Sequence, residues 1–145
     1  MWHRISWLIA VVLVLPLLLS GCGGAAEETQ SEPARVEPVA GTDLSRIILT
    51  PEAAKRLDIQ TAPVRLQAGS QRTVIPYAAV LYDPNGETWT YTSPEHLVFV
   101  RKDISVDRID GNRAILSTGP ATGTPVVTVG ATEIWGVEYG GIEED

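Results

Sequence analysis

The feature that most limits what this chain of 145 residues can fold into is the concentration of apolar residues at its amino terminus. Residues 7–19 form an apolar run of 13 residues that includes Pro16, follows the positive charge of Arg4 and precedes small residues up to Cys22. A membrane-spanning helix needs about 20 apolar residues, whereas a shorter run with a basic flank is typical of a secretory signal peptide. We therefore expect residues 1–21 to be removed, which leaves enough chain for one small core.

The last four residues of this segment, Leu19, Ser20, Gly21 and Cys22, resemble the lipobox of bacterial lipoproteins. The resemblance implies that the Cys22 thiol is acylated with diacylglycerol, that the chain is cut before Cys22, and that the new amino group can receive a further acyl chain such as palmitate. Each buried methylene contributes about 0.8 kcal/mol, so two or more acyl chains hold a protein firmly on a bilayer. We expect a lipid-anchored protein on the extracytoplasmic side of a cell membrane, in the periplasm or on the outer surface.

Cys22 is the single cysteine of the chain, so no intramolecular disulfide can form even where the compartment would permit one. Two other interpretations of this residue stay open: an uncleaved signal anchor without acylation, and a small buried apolar side chain. Acylation is favoured because Cys22 stands at the end of the apolar run and not within a folded segment.

Residues 22–45 are predicted to be the lipidated cysteine and a linker, rich in Gly, Ala, Pro and Glu. Such a segment buries too little apolar surface to offset the entropy of ordering, so we expect it to be flexible. The net charge of the whole chain is −7. This balance argues against nucleic acid as a partner, because phosphate binding needs a basic face.

The folded domain is predicted over residues 46–138 and is expected to be mostly β, with one short helix near its N-terminus. Thr50 and Pro51 predict the start of that helix, as its N-cap and its first helical residue. Residues 83–86, Asp-Pro-Asn-Gly, have the preferences of a type I turn. They predict a hairpin whose return strand is residues 88–92.

Later β-structure is predicted from apolar residues at alternate positions of the chain. This alternation shifts by one residue between Val106 and Ile109, which predicts a β-bulge near Asp107 and Arg108. The remaining predicted elements are a tight turn at residues 110–112, a last strand at 125–129, one turn of helix at 130–136 and an acidic tail at 139–145.

Three segments of this domain carry a family resemblance when they are taken in order. They are residues 48–64, with ILTPEAA followed by LDIQTAPV; residues 74–80, VIPYAAV; and residues 98–130, which end in GTPVVTVG. Together they resemble the membrane-proximal region of the periplasmic adaptor proteins, also called membrane fusion proteins, of tripartite RND-type efflux systems.

The resemblance implies a small β-barrel or split-barrel domain that docks on an inner-membrane transporter. Nothing in the sequence is similar to the lipoyl half-motifs or the long helical hairpin of full adaptors, and the residues between Val64 and Thr73 are too few to hold them. The chain thus resembles an adaptor reduced to its membrane-proximal barrel. The function implied is a lipid-anchored, non-enzymatic accessory module for a membrane efflux transporter.

Residues that could carry catalysis are few and scattered. His3 leaves with the predicted signal peptide, and His96 then has no second histidine or free thiol with which to hold a metal. Asp103, Asp107 and Asp110 lack the spacing of a calcium-binding loop, and no serine lies in a nucleophile-elbow sequence. We therefore expect no enzymatic activity, no metal and no cofactor.

Trp89, Tyr91 and Trp135 are the side chains best suited to contact a partner, because aromatic residues dominate interface hot spots. The same three side chains could instead form the core of a small barrel. An alternative function is an envelope lipoprotein that binds glycan, peptidoglycan or another surface ligand, which requires Trp89 and Tyr91 to be exposed. A small hydrolase is a further alternative, and it requires two acidic residues that converge in a pocket.

Replacing the acylated residue tests the anchor. We expect Cys22→Ala to move the protein from the membrane fraction to the soluble fraction, because no acyl chain can then be attached. The measurement is fractionation followed by immunoblotting, with Gly24→Ala as a neighbouring substitution that keeps the thiol. A Cys22→Ala protein that stays in the membrane fraction would show that the anchor prediction is wrong.

Overall fold

A computed structural model describes residues 32–140 of the chain, and antiparallel β-structure dominates them. The predicted signal peptide, Cys22 with the rest of its lipobox, and residues 141–145 of the predicted tail lie outside the described residues. No helix within residues 32–140 is both long enough and apolar enough to cross a membrane.

The described residues form eleven strands and three helices. The strands are β1 (Ala34–Pro38), β2 (Ser45–Leu49), β3 (Gln60–Pro63), β4 (Arg65–Leu66), β5 (Thr73–Pro76), β6 (Leu81–Tyr82), β7 (Thr88–Glu95), β8 (Val98–Asp103), β9 (Ser105–Asp110), β10 (Arg113–Thr118) and β11 (Pro125–Val129). The helices are α1 (Pro51–Arg56), α2 (Ala131–Gly140) and a short 3-10 helix, Tyr77–Ala79.

The start of α1 is set by its capping residue. The Thr50 hydroxyl accepts a hydrogen bond from the backbone N–H of Ala53 at 3.1 Å, and Pro51 is the first helical residue, as the sequence predicts. Proline costs little at this position, because a first-turn N–H has no partner within the helix. Ala53 and Ala54 then face the core.

The hairpin formed by β6 and β7 has the predicted turn. The backbone N–H of Gly86 donates to the Asp83 carbonyl at 3.0 Å, and Gly86 has a φ of 85°, which glycine adopts without steric cost. The Asp83 carboxylate accepts from the backbone N–H groups of Asn85 and Glu87 at 2.9 and 2.8 Å. These bonds set the register that pairs Leu81 with Trp89.

The strands form two antiparallel sheets. The larger sheet has the order β1-β2-β8-β7-β11-β3, with β6 paired to β7, and the smaller sheet has the order β4-β5-β10-β9. The resemblance implies a β-barrel or a split barrel. Neither sheet closes on itself in the part of the chain that the structure describes, so a closed barrel is not what the structure shows. The chain leaves the larger sheet at Val64 and at Ile104, both buried. The strands that follow, β4 and β9, pair with β5 and β10 in the smaller sheet instead of closing the larger one.

The predicted bulge lies in the smaller sheet. Ile115 is opposite Arg108, and the next residue of β10, Leu116, is opposite Val106, so that Asp107 has no direct partner across the pair. An extra residue of this kind bends its strand and increases the local twist. The shift in the alternation of apolar residues around Asp107 therefore marks the β-bulge in β9.

The larger sheet lies between two apolar clusters. The adjacent residues Val126 and Val127 are both fully buried and belong to different clusters, as expected for neighbouring positions of a strand. The cluster of Val127 includes Phe99 of β8 and Ile134 of α2, whereas that of Val126 includes Leu116 of the smaller sheet. α1 and α2 therefore cover one face of the larger sheet, and the inner face of the smaller sheet, together with the 3-10 helix, covers part of the other.

Two segments differ from the sequence-based predictions. Residues 34–38, assigned to the flexible linker, form β1, an edge strand paired with β2 from Ala34 opposite Leu49 to Pro38 opposite Ser45. An edge strand is held mainly by backbone hydrogen bonds, so its composition gave no sign of order. The predicted single turn of helix at residues 130–136 extends to Gly140 as α2. The predicted boundary at residue 138 is therefore inside a helix.

The junction between β11 and α2 depends on a glycine. Gly130 has a φ of 84°, and a Cβ there would collide with the Ile59 side chain and lie 3.3 Å from the Leu57 carbonyl oxygen. We expect Gly130→Ala to lower the free energy of unfolding by about 1–3 kcal/mol. The measurement is urea unfolding followed by circular dichroism.

Gly136→Ala is the matched control. A Cβ at Gly136 meets no atom within 4 Å, and alanine favours a helix interior by up to about 1 kcal/mol over glycine. Gly136→Ala should therefore be neutral or stabilising. Equal destabilisation by the two substitutions would contradict the role given to Gly130.

Candidate functional site

The structure brings the three aromatic residues singled out in the sequence into one cluster. Trp89 and Tyr91 lie on β7 with ring centroids 5.1 Å apart and planes at 90°. Trp135 of α2 packs edge-on against Trp89 at 5.6 Å. Tyr139, one turn further along α2, extends the series at 6.0 Å from Trp135. The four rings join β7 to α2 in the edge-to-face geometry that aromatic pairs prefer.

Their exposure separates a buried part of the cluster from an accessible part. Trp89 is 4% exposed and Tyr91 is fully buried, so both belong to the core. Trp135 is partly buried, and Tyr139 is 48% exposed. Of the three predicted contact residues, only Trp135 is available to a partner. The sequence analysis places Tyr139 in the acidic tail. The signal that identifies it is its spacing of four residues from Trp135, which puts both on one helix face.

Arg101 of β8 completes the accessible part. Its guanidinium lies 5.6 Å from the centroid of Trp89 and 5.8 Å from that of Tyr139, over both rings. It also donates a hydrogen bond to the Tyr139 hydroxyl. Burial alone lowers the pKa of Arg101, but the Glu138 carboxylate and Tyr139 more than offset this and raise the pKa above its usual value. Arg101 is thus a permanent cation held between aromatic rings.

A buried carboxylate stands behind this surface. Glu138 of α2 is 3% exposed, and its carboxylate accepts a hydrogen bond from the Tyr91 hydroxyl. Burial and this hydrogen bond raise the pKa of Tyr91 well above its ordinary value of 10.0. The charge of Glu138 is balanced by the nearby Arg101. Tyr91, Glu138 and Arg101 therefore form a polar network that fixes α2 against β7 and β8.

The accessible side chains line a groove of about 540 Å³ between α2 and the β6–β7 turn. Pro84, Trp89, Arg101, Trp135, Gly136 and Tyr139 form most of its wall. We call this surface the aromatic groove. Its lining is largely apolar, and the polar residues in it are Arg101, Asp83 and Thr132. The Asp83 carboxylate accepts from the hairpin turn, so the groove suits an apolar or aromatic group whose acceptor oxygen meets Arg101.

A second recess, of about 1140 Å³, lies on the other side of Trp89 and Arg101 and has an acidic rim. Asp43, Glu87 and Asp103 are exposed, and the Asp83 carboxylate is bound by the hairpin turn. A carboxyl that acts as a general acid at neutral pH usually lies in an apolar, desolvated site, and these four do not. The recess thus brings four acidic residues together, as the hydrolase alternative requires, but none of them lies in the desolvated site typical of a catalytic acid.

Within residues 32–140, the side chains considered for metal binding stay apart. His96 is exposed in the turn between β7 and β8, and no group of three or more His, Cys, Asp or Glu residues among those described is placed to hold a metal. Asp107 and Asp110 instead form ion pairs with arginines of the smaller sheet.

Comparison with known proteins gives no match: no protein-family model, no curated protein and no solved structure is similar to this chain. The candidate site is therefore defined by its own geometry.

Removal of the Tyr91 hydroxyl from the buried network should lower the stability of the fold. We expect Tyr91→Phe to lower the free energy of unfolding by about 1–3 kcal/mol at neutral pH, because Glu138 then stays buried without its donor. Tyr77→Phe is the control, since Tyr77 is 42% exposed. It should change stability by less than about 0.5 kcal/mol.

The stability difference between the wild-type protein and Tyr91→Phe is also expected to depend on pH. Because the pKa of Tyr91 is raised in the folded state, its contribution is complete below the unfolded value of 10.0 and is lost as the pH rises above it. Urea unfolding at pH values above 10 should therefore bring the wild-type and Tyr91→Phe curves closer together. A stability difference that stays constant with pH would contradict the assignment.

Proposed function

We propose that the protein is a lipid-anchored, extracytoplasmic, non-enzymatic module that supports a membrane efflux transporter, and that the aromatic groove is its contact surface. The observation that carries this proposal is the accessible pair of Trp135 and Tyr139 beside Arg101, held on a frame of buried residues. The adaptor resemblance of residues 48–130 supports the choice of a transporter as partner.

The groove has the chemistry of a protein-binding site. Tryptophan, tyrosine and arginine are the residues most often found at interface hot spots, and here one of each is accessible at one place. The network of Tyr91, Glu138 and Arg101 fixes the rings before a partner arrives. Pre-ordered side chains lose less conformational entropy on binding, so a small groove can still contribute useful affinity.

The chain between the proposed anchor and the first strand supports a partner in the same membrane. Eleven residues lie between Cys22 and Ala34, where β1 begins. Even fully extended, these span only about 40 Å. A domain held this close to the bilayer meets membrane proteins at a high effective concentration, so weak contacts are sufficient.

The expected split barrel belongs to the same proposal. The two open antiparallel sheets would correspond to the two parts of an adaptor's membrane-proximal barrel. The short connections at Val64 and Ile104 support this view, because they hold the sheets against each other through a shared apolar cluster.

The alternative of a glycan-binding or peptidoglycan-binding lipoprotein is weakened by burial. It required an exposed aromatic face at Trp89 and Tyr91, and both side chains lie in the core. A glycan could stack only on Trp135 and Tyr139. Capture of glycan at those two residues therefore remains as an outcome of the test below.

Site-specific photocrosslinking in cells tests the proposal. A benzophenone amino acid in place of Tyr139 should form an adduct with an integral membrane protein, which mass spectrometry would identify as a transporter subunit. The same probe at Tyr77, an exposed tyrosine outside the groove, should form that adduct at least tenfold less. Equal adducts at both positions, or adducts only with peptidoglycan fragments at position 139, would overturn the proposal.

A further inference from the structure

The outer face of the smaller sheet carries a row of side chains that the groove does not use. Strand register places Arg65 of β4 opposite Val74 of β5, Val74 opposite Ile115 of β10, and Ile115 opposite Arg108 of β9. Paired residues of antiparallel strands share a face. The row therefore runs across all four strands with an arginine at each end and two apolar residues between them.

Two more arginines extend this face. Arg113 lies two residues before Ile115 on β10, so it shares the orientation of the row. Arg72 directly precedes β5 and reaches the same Asp107 carboxylate oxygen as Arg108, which places it beside the row. The acidic residues there are Asp107, which pairs with Arg72 and Arg108, and Asp110, which pairs with Arg113. Four arginines against two aspartates give this face a positive excess, although the chain as a whole has a net charge of −7. We call it the arginine face.

The arginine face is concave and has an apolar floor. Arg65, Ala68, Val74, Arg113 and Ile115 line a depression of about 370 Å³, together with Asp110, the ion-pair partner of Arg113. Ile115 is only 2% exposed although it lies on the outer side of the sheet. Arginine stems cover apolar surface while their guanidinium groups stay in solvent. Guanidinium groups around an apolar surface match the head-group region of a bilayer, where phosphate groups lie above the hydrocarbon chains.

We propose that the arginine face docks the domain on an anionic phospholipid surface. The inference rests on the proposed lipid anchor, which keeps bilayer lipid beside the domain at all times. The tether has a root-mean-square length of about 20 Å, and a domain of this size has a radius of gyration of about 13 Å. A tether of that length leaves every face of the domain free to turn towards the bilayer, so charge determines the orientation.

The acidic side chains strengthen the orientation. Asp43, Glu87 and Asp103 surround the large recess beside β7 and β8 and are exposed. An anionic bilayer repels that side of the domain and attracts the arginine face. Each basic residue near an anionic membrane strengthens binding about fivefold, so an excess of two corresponds to about 25-fold at low ionic strength.

Reconstitution of the full acylated protein tests the orientation. Because the Cys22 thiol is used for acylation, a single introduced cysteine can be labelled selectively. Ala68→Cys places a fluorophore in the depression of the arginine face, and Thr132→Cys places it on the exposed side of α2. Energy transfer to a headgroup-labelled lipid reports how close each position lies to the bilayer.

We expect vesicles with about one third phosphatidylglycerol to increase transfer from position 68 at least twofold over neutral phosphatidylcholine vesicles, and to leave position 132 unchanged. The increase should vanish in about 1 M salt, where the Debye length is about 3 Å. Arg65→Glu/Arg108→Glu should abolish it, whereas Arg35→Glu/Lys55→Glu, at exposed basic residues of β1 and α1, should not.

Thermal unfolding monitors whether the variants fold, and Arg65→Gln/Arg108→Gln, which removes charge without reversing it, should give a partial loss. Equal transfer from both positions on every vesicle would overturn the proposal. So would a position-68 signal that appears only on native membrane fragments and disappears after protease treatment, since the face would then bind an acidic protein. Failure of the protein to insert into any vesicle would instead overturn the anchor proposal.

Discussion

The hydrogen bond between Tyr91 and Glu138 is the interaction on which the accessible surface depends. It joins the central strand β7 to the last turn of α2, and both side chains are shielded from solvent. Without this bond the last turn of α2, with a glycine at residue 136 and another at residue 140, would lose the side-chain hydrogen bond that holds it to β7. Trp135 and Tyr139 lie one turn apart on the same face of α2, and Glu138 is next to Tyr139, so the shape of the aromatic groove depends on the position of one buried carboxylate.

Holding a helix with a buried carboxylate costs free energy of desolvation. Ionised groups lose several kcal/mol on desolvation, and well-packed apolar residues in their place are often more stable. Here the cost is offset by the Tyr91 hydroxyl and by the charge of Arg101. Unlike apolar contacts, these partners are directional and specify one angle and register of α2. We interpret the network as a means of placing the groove side chains, with stability as a secondary effect.

Local features of the fold could be predicted from the sequence, and non-local ones could not. The cap at Thr50, the turn at residues 83–86 and the bulge at Asp107 each depend on a few neighbouring residues, and each is present. The division into two sheets depends on which distant strands pair, which alternation does not determine. The order of β1 depends on its pairing with β2, so a polar composition could not reveal it.

The candidate site, too, could be predicted from the sequence only in part. Residue type alone predicts Trp89, Tyr91 and Trp135 as contact residues, and the structure brings them together. Residue type did not indicate that the first two are core and that the accessible contacts come from Trp135, Tyr139 and Arg101. That outcome depends on the burial of Glu138, and a glutamate near an acidic terminus has every local sign of a solvated residue.

The layer arrangement connects the two proposed surfaces. α2 and the smaller sheet cover opposite faces of the larger sheet, as the separate clusters of Val127 and Val126 require. The arginine face is the outer side of the smaller sheet, so docking it on lipid turns α2 and the aromatic groove away from the bilayer. A groove in that position can reach the part of a transporter that extends from the membrane, and not its membrane-spanning helices. Lipid attachment and partner binding would then use different layers of one small domain, which allows both at once.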